Sequence, residues 1–235
     1  MKKRIWELDA LRGFCILAMV VVHLVFDLVY IYGALTLEGF GDWLFTALTQ
    51  WGGIVFLLIS GICVTLGSHP IRRGLTVFGC GLLCTLVTLL MAWLGFLDKS
   101  VIIYFGVLHC LGICMLLWPL LQKLPPWALG ILGVALAAAG FYVQDLRVDF
   151  PWLVPLGIMC RGFASSDYFP LLPNLGFFLL GAVLGLILYR KKQSLLPKVN
   201  EKNPVILALC LCGKWSLFIY LLHQPLLTAA LELIF

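Results

Sequence analysis

Charge is what this chain has least of. Acidic and basic residues together make up 11% of 235 positions, against 63% hydrophobic residues and a mean hydropathy of +1.07. That balance excludes an ordinary water-soluble globule and a disordered chain. The leader of a cleaved signal is missing too: Glu7 and Asp9 precede the first apolar run, where a secretory leader is basic and free of acids. The first run is therefore read as a retained span. No long linker, low-complexity tract or internal repeat breaks the sequence, so 1–235 is expected to be a single integral-membrane domain. The nine cysteines lack C-x-x-C spacing. Cys80/Cys84 and Cys110/Cys114 share helical faces, yet they sit in apolar runs and are read as small hydrophobes. No metal is expected.

What the chain does have is long apolar stretches. A helical span needs about 20 apolar residues, and such windows lie at 10–31, 43–66, 74–96, 101–121, 125–142, 170–189 and 214–235. The expected fold class is an all-α polytopic bundle of about seven transmembrane helices, with the shorter pieces 151–160 and 204–212 interfacial or re-entrant. Cytoplasmic loops collect Lys and Arg. With the N-terminus inside, Lys2, Lys3, Arg4, Arg12, Arg72, Arg73, Lys123, Arg190, Lys191, Lys192, Lys198, Lys202 and Lys214 fall on that side, leaving only Lys99, Arg147 and Arg161 outside. The net charge of +5 is then a topology signal, and no nucleic-acid partner is needed to explain it.

Against this background a few polar residues stand out. In "GFCILAMVVVHLVFDLVYIYGAL", His23 and Asp27 are one helical turn apart on one face. At about 1.5 Å per residue, His23 lies ~18 Å and Asp27 ~24 Å above the inner surface, His109 ~18 Å and His223 ~13 Å, so three histidines share one slab of the membrane. Ionisable groups at such depth face a protein interior or a wet cavity and mark a functional site; the bland alternative is a neutral histidine hydrogen-bonded between helices. Pro225 removes the amide bond to Leu221, predicting a bend near His223 and Gln224. Gly106 and Gly112 flank His109, allowing close helix approach on either side.

These residues resemble a known family. The opening "RIWELDALRGFCILAMVVVHLVFDL", with Arg4, Asp9, Arg12, Gly13, His23 and Asp27, is similar to the start of bacterial members of the heparan-alpha-glucosaminide N-acetyltransferase catalytic-domain family. So are "SGI" at 60–62, "RRG" at 72–74, "FGVLHCLG" at 105–112, "SSDYFPLLPNLGFFLLG" at 165–181 and "SLFIYLLHQP" at 216–225. The likeness departs from the eukaryotic branch, which has Asn at the place of His23 and a histidine about eleven residues later, where this chain has Ala34.

The resemblance implies a membrane acyltransferase that moves an acetyl or other acyl group from cytosolic acetyl-CoA (acyl-CoA) to a glycan or other small acceptor across the plasma membrane. Such transfer needs a base. His23 with Asp27 as its orienter is the first choice, while His109 and His223 are candidates to hold the thioester oxygen or to accept the proton or acyl group. Arg4, Arg12, Arg72 and Arg73 are candidates for the donor's phosphates; the positive-inside bias and an Asp9–Arg12 ion pair are the plainer explanations. Asp167, Tyr168 and Gln224 are candidates for acceptor binding. The lipid bilayer is the expected surroundings, and a homo-oligomer is compatible with the sequence. Two other readings stay open: a proton-coupled transporter using the intramembrane His and Asp groups, and an acyltransferase-3 type enzyme.

Overall fold

The computed structural model describes residues 4–235. Lys2 and Lys3, counted above among the inner basic residues, lie outside the described residues. The chain is helical almost throughout: α1 (Trp6–Phe26), α2 (Phe40–Leu66), α3 (Pro70–Trp93), α4 (Val107–Leu121), α5 (Pro126–Val143), α6 (Leu171–Leu188), α7 (Pro204–Lys214) and α8 (Ser216–Glu232). A single two-stranded ladder pairs β1 (Arg147–Val148) in parallel with β2 (Met159–Cys160). Contacts divide the chain into two compact units: residues up to Ile59 with Lys191–Phe235, and Ser60–Arg190.

In the first unit α1 packs on α7 and α8. The α1–α7 crossing is made by glycine. A Cβ on Gly13 would strike the Leu209 carbonyl, and one on Gly213 would strike the Asp9 carbonyl. In lipid, where hydrophobic burial gives helices no reason to associate, such backbone-to-backbone approach supplies the packing. Helix α1 ends in one π turn, Asp27–Ile31, which starts at the buried Asp27. Helix α7 opens on an Asn203 side-chain cap and Pro204 at its first position, a strong local start signal.

In the second unit α5 lies along α6 and α3 along α4. Small residues again set the seams: Gly133 and Gly176 between α5 and α6, Gly112 against Phe78 of α3, and Gly61 against the Phe178 carbonyl. Phe178, Leu129, Leu179, Cys110 and Cys114 are fully buried there, the two thiols packed as small apolar groups. Helix α3 keeps Leu75, Leu82, Leu86 and Trp93 exposed, and only its Gly74 and Gly81 are buried. An apolar helix exposed over most of its surface suits lipid, not water.

Among the described residues five helices are long and apolar enough to cross a bilayer, six if α7 and α8 form one broken span. The protein is thus an all-helical, multi-pass membrane protein; the fourth window differs from the sequence expectation, whereas segment 151–160, expected to be too short to cross, agrees with it. The fourth window, 101–121, contracts to the 15-residue α4, because Ile102–Gly106 is extended and Phe105 bridges to Tyr168. At about 22 Å such a helix falls short of a ~30 Å core. A break of 83° lies at Trp215, where α7 and α8 meet; Pro225, at which a bend near His223 and Gln224 is expected, is carried inside α8 without ending it. Segment 151–160 is a 3-10 turn, Pro151–Leu156, followed by β2, an excursion with no helix long enough to cross.

Candidate functional site

The first unit brings His23 and His223 together. Their rings meet edge to face with centroids 4.8 Å apart, one projecting from α1 and one from α8. Each is anchored by the same nitrogen. His23 Nδ1 lies 2.9 Å from the Met19 carbonyl one turn back on α1, and His223 Nδ1 contacts the Tyr220 carbonyl. A carbonyl only accepts, so both Nδ1 atoms carry the hydrogen, and a neutral ring held in this way presents a lone pair at Nε2. Among the described residues, His223 Nε2 is buried without a hydrogen-bond partner. Buried polar atoms are nearly always satisfied, and an orphan of this kind marks a place where something else binds or reacts.

Beside the imidazoles, Gln224 Nε2 donates to both carboxylate oxygens of Asp27, at 2.9 and 3.2 Å. Asp27 is 2% exposed, and Gln224 Oε1 is a second buried orphan. The expected division of labour is corrected here. Asp27 does not orient His23: the Met19 carbonyl takes the imidazole's Nδ1–H, and the carboxylate is engaged by Gln224. The i, i+4 spacing puts the two side chains on one face, but the carbonyl of residue 19 competes for the same hydrogen and is already in reach. Signals for Met19 and Tyr220 were absent from the sequence, since any residue supplies a carbonyl.

His109 belongs to the second unit, and its surroundings are different. It is the third residue of α4, in the first turn and not at mid-helix. Nδ1 accepts the Gly106 amide at 3.2 Å, so Nε2 carries the hydrogen and meets Thr85 Oγ1 at 3.3 Å; Thr85 in turn donates to the Ile103 carbonyl at 2.7 Å. Phe78 and Phe105 close on the ring, each at 5.6 Å between centroids. Asp167 works at the same helix end, taking the Val107 amide at 3.1 and 3.3 Å. The first amides of a helix have no partner within it, and a carboxylate there is favoured by the helix dipole. Gly106 is accordingly a cap residue facing Asp167, whereas Gly112 alone plays the packing role expected of both glycines.

Tyr168 donates to the Val154 carbonyl at 2.7 Å and stands 5.1 Å from the Phe163 ring. Burial pushes its phenol up to about 12, with the positive Arg147 opposing. Thr85 was missed in the sequence because threonine in an apolar helix gives no signal of what it will face.

The arginines divide likewise. Arg12 donates to Ser216 Oγ at 2.9 Å and stands 3.9 Å from Asp9, which also pairs with Arg4 at 3.3 Å. The ion pair considered for Arg12 is therefore present, joined to the first residue of α8. Arg72 lines a groove of about 620 Å³ with His69, Thr76, Pro119 and Gln122, and Arg73 lies near Gly67. Among the described residues no group of three or more His, Cys, Asp or Glu is placed to hold a metal.

The family model for heparan-alpha-glucosaminide N-acetyltransferase, catalytic, matches residues 4–225. The chain belongs to that family. The match runs from Arg4 through Pro225 and so includes both imidazoles of the pair, Asp27 and Gln224. Membership in the N-acetyltransferase family makes this a transferase-type membrane protein. No curated protein and no solved structure matches the chain.

Proposed function

We propose that the protein is a membrane acyltransferase moving an acetyl or longer acyl group from cytosolic acyl-CoA to a sugar or similar acceptor on the far side of the plasma membrane. The observation that carries this is the imidazole pair with its orphaned Nε2 and the neighbouring orphaned Gln224 Oε1. A base must take the proton from an attacking amine or hydroxyl, and an imidazole whose Nδ1–H is held by a carbonyl offers its Nε2 for that purpose. His23 or His223 removes the proton as the amine or hydroxyl attacks the thioester carbonyl, and the imidazolium so formed returns that proton to the coenzyme A thiolate that leaves when the C–S bond breaks. Asp27, buried beside them, holds the acceptor's amine or hydroxyl hydrogen, and Gln224 Oε1 supplies a second acceptor for it.

The donor approaches from the side of the N-terminus, taken as cytoplasmic. Arg72 and Arg73 are candidates to hold the donor's phosphates through charge-assisted bonds, while Arg4 and Arg12 already share Asp9. His109, Asp167 and Tyr168 act by building the fold of their unit, not at the reacting atoms.

The test is purified protein in detergent with labelled acetyl-CoA. Binding and slow thioester hydrolysis are expected, and both vanish in the His23→Ala, His223→Ala double variant; a protein that neither binds nor hydrolyses the thioester overturns the reading. A proton-coupled transporter is favoured by one observation, the 83° break between α7 and α8, since broken helices form transporter sites. It requires pH-gradient-dependent flux in proteoliposomes without any thioester.

A further inference from the structure

We infer that Tyr32 and Glu232 are positioning residues for Asp27: their hydrogen bond fixes the π turn that ends α1 against α8, and that turn sets where the Asp27 carboxylate stands beside the imidazole pair. This rests on the acyltransferase reading and adds two residues to it.

In an α-helix each amide goes to the carbonyl four residues back. At the end of α1 the Tyr32 amide instead reaches the Asp27 carbonyl, five residues back, at 3.0 Å. One extra residue in a turn swings whatever follows by about 100° around the axis. A plain helix would therefore aim Tyr32 well away from Glu232. Gly33 then takes φ +61°, the left-handed conformation that closes a helix, and the Ala34 amide returns to the Leu28 carbonyl at 2.8 Å. Single π turns within α-helices occur mostly at functional sites.

Helix α8 holds this turn at both ends. Asp27, at its start, takes both Gln224 bonds, at 2.9 and 3.2 Å. Tyr32, just past its end, donates to Glu232 Oε1 at 3.2 Å and sets its ring 5.1 Å from that of Phe235. Gln224 and Glu232 are eight residues apart and so lie on one stripe of α8, whose far end is seated by the buried Leu231. For α8 alone, Glu232 is badly placed. It is the last residue of the helix, where the exposed carbonyls disfavour a negative charge, and no basic residue stands in that turn to offset it. What the carboxylate does there is hold Tyr32.

Asp27 has to meet the acceptor's amine or hydroxyl hydrogen while an imidazole takes the proton, and such help depends on placement to within about 0.5 Å. Without the Tyr32–Glu232 bond the turn is tied to α8 through Gln224 alone, and the carboxylate at its base follows every fraying of the helix end.

The experiment has two arms, both on the full-length protein in detergent. With no thioester present, Glu232→Ala and Tyr32→Phe are each expected to speed hydrogen exchange of the Tyr32, Ala34 and Leu35 amides roughly tenfold. The thermal midpoint should not move, because Glu232 is on the surface. With labelled acetyl-CoA, each variant should lower kcat by roughly tenfold at an unchanged donor KM. Glu232→Gln keeps an acceptor oxygen at the same reach and should restore most of both losses, and the double variant should lose no more than either single one. Unchanged exchange, or faster exchange with parental kcat, overturns the proposal. So does a loss of kcat that Glu232→Gln leaves in place, or one matched by a lowered thermal midpoint, which would make the bond a plain stability contact. Unchanged exchange in an active protein sinks this inference alone, and a parent protein that turns over no thioester sinks the catalytic reading while the exchange arm still decides whether the bond holds the turn.

Discussion

Two regions of the molecule hold buried imidazoles and use them in opposite ways. In the first unit His23 and His223 each bind a backbone carbonyl through Nδ1, and His223 Nε2 is left buried with no partner among the described residues. In the second unit His109 has both ring nitrogens occupied, by the Gly106 amide and by Thr85. A ring with one basic nitrogen to spare can take a proton from a substrate, and one with none can do so only by breaking the fold around it. The same side chain thus has a nitrogen to spare in one place and none in the other.

Removing the pair should have the largest effect. His23→Ala and His223→Ala are each expected to lower acyl transfer by roughly 10²–10⁴-fold with membrane insertion and thermal midpoint retained; single-turnover assays with labelled acetyl-CoA check this, and an active variant moves the base elsewhere. Next comes Gln224→Leu. It strips the only side-chain donor recorded for Asp27 among the described residues, and the loss of a hydrogen bond to a buried charged group is worth about 1.5–3 kcal/mol. A drop in kcat/KM of roughly ten- to a hundredfold should follow, and Gln224→Asn should restore little of it because its shorter arm cannot span the same gap.

His109→Ala sharpens the contrast. It leaves the Gly106 amide and Thr85 without their partner, at a cost of about 1–3 kcal/mol in stability. Thermal unfolding should show the loss, activity should fall only with the folded population, and the shape of the pH–rate profile should stay as in the parent. A changed profile would return His109 to the chemistry.

Tyr168 gives the smallest effect. Its phenol, raised in the folded protein from 10.0 to about 12, favours the protonated form, so its contribution to stability is complete below pH 10 and is lost as pH rises towards 12. Tyr168→Phe should cost about 1 kcal/mol at neutral pH and remove that alkaline component, as read by unfolding midpoints between pH 9 and 12.

Much of this was legible before any coordinates. The windows 10–31, 43–66, 74–96, 125–142 and 170–189 each correspond to a helix of similar extent, because twenty apolar residues in a row admit few other structures in lipid. The segment 204–212 reappeared as a short helix of its own. The shortening of α4 was hidden: "VIIYFGVLHCLG" is apolar throughout, and only the pairing of Phe105 with Tyr168, more than sixty residues later, makes its first part extended. The boundary between the windows 204–212 and 214–235 is legible in the sequence, and the 83° angle that α7 and α8 make there is not. His23, Asp27, His223 and Gln224 are legible in the sequence as polar exceptions in apolar runs, whereas their hydrogen-bond partners are not: His23 meets the Met19 carbonyl and Asp27 meets Gln224.

By itself, then, the sequence determined that this is a multi-pass membrane protein of the heparan-alpha-glucosaminide N-acetyltransferase family and which few polar residues interrupt its apolar runs. Hydropathy and motif order are properties of consecutive residues, so they need no folding to be read. Only the tertiary structure decided which nitrogen of each imidazole is occupied and which carboxylate meets an amide side chain in place of a histidine. Those outcomes depend on hydrogen-bond partners within about 3 Å, and the chain draws its partners from far-apart positions and from backbone atoms that every residue shares.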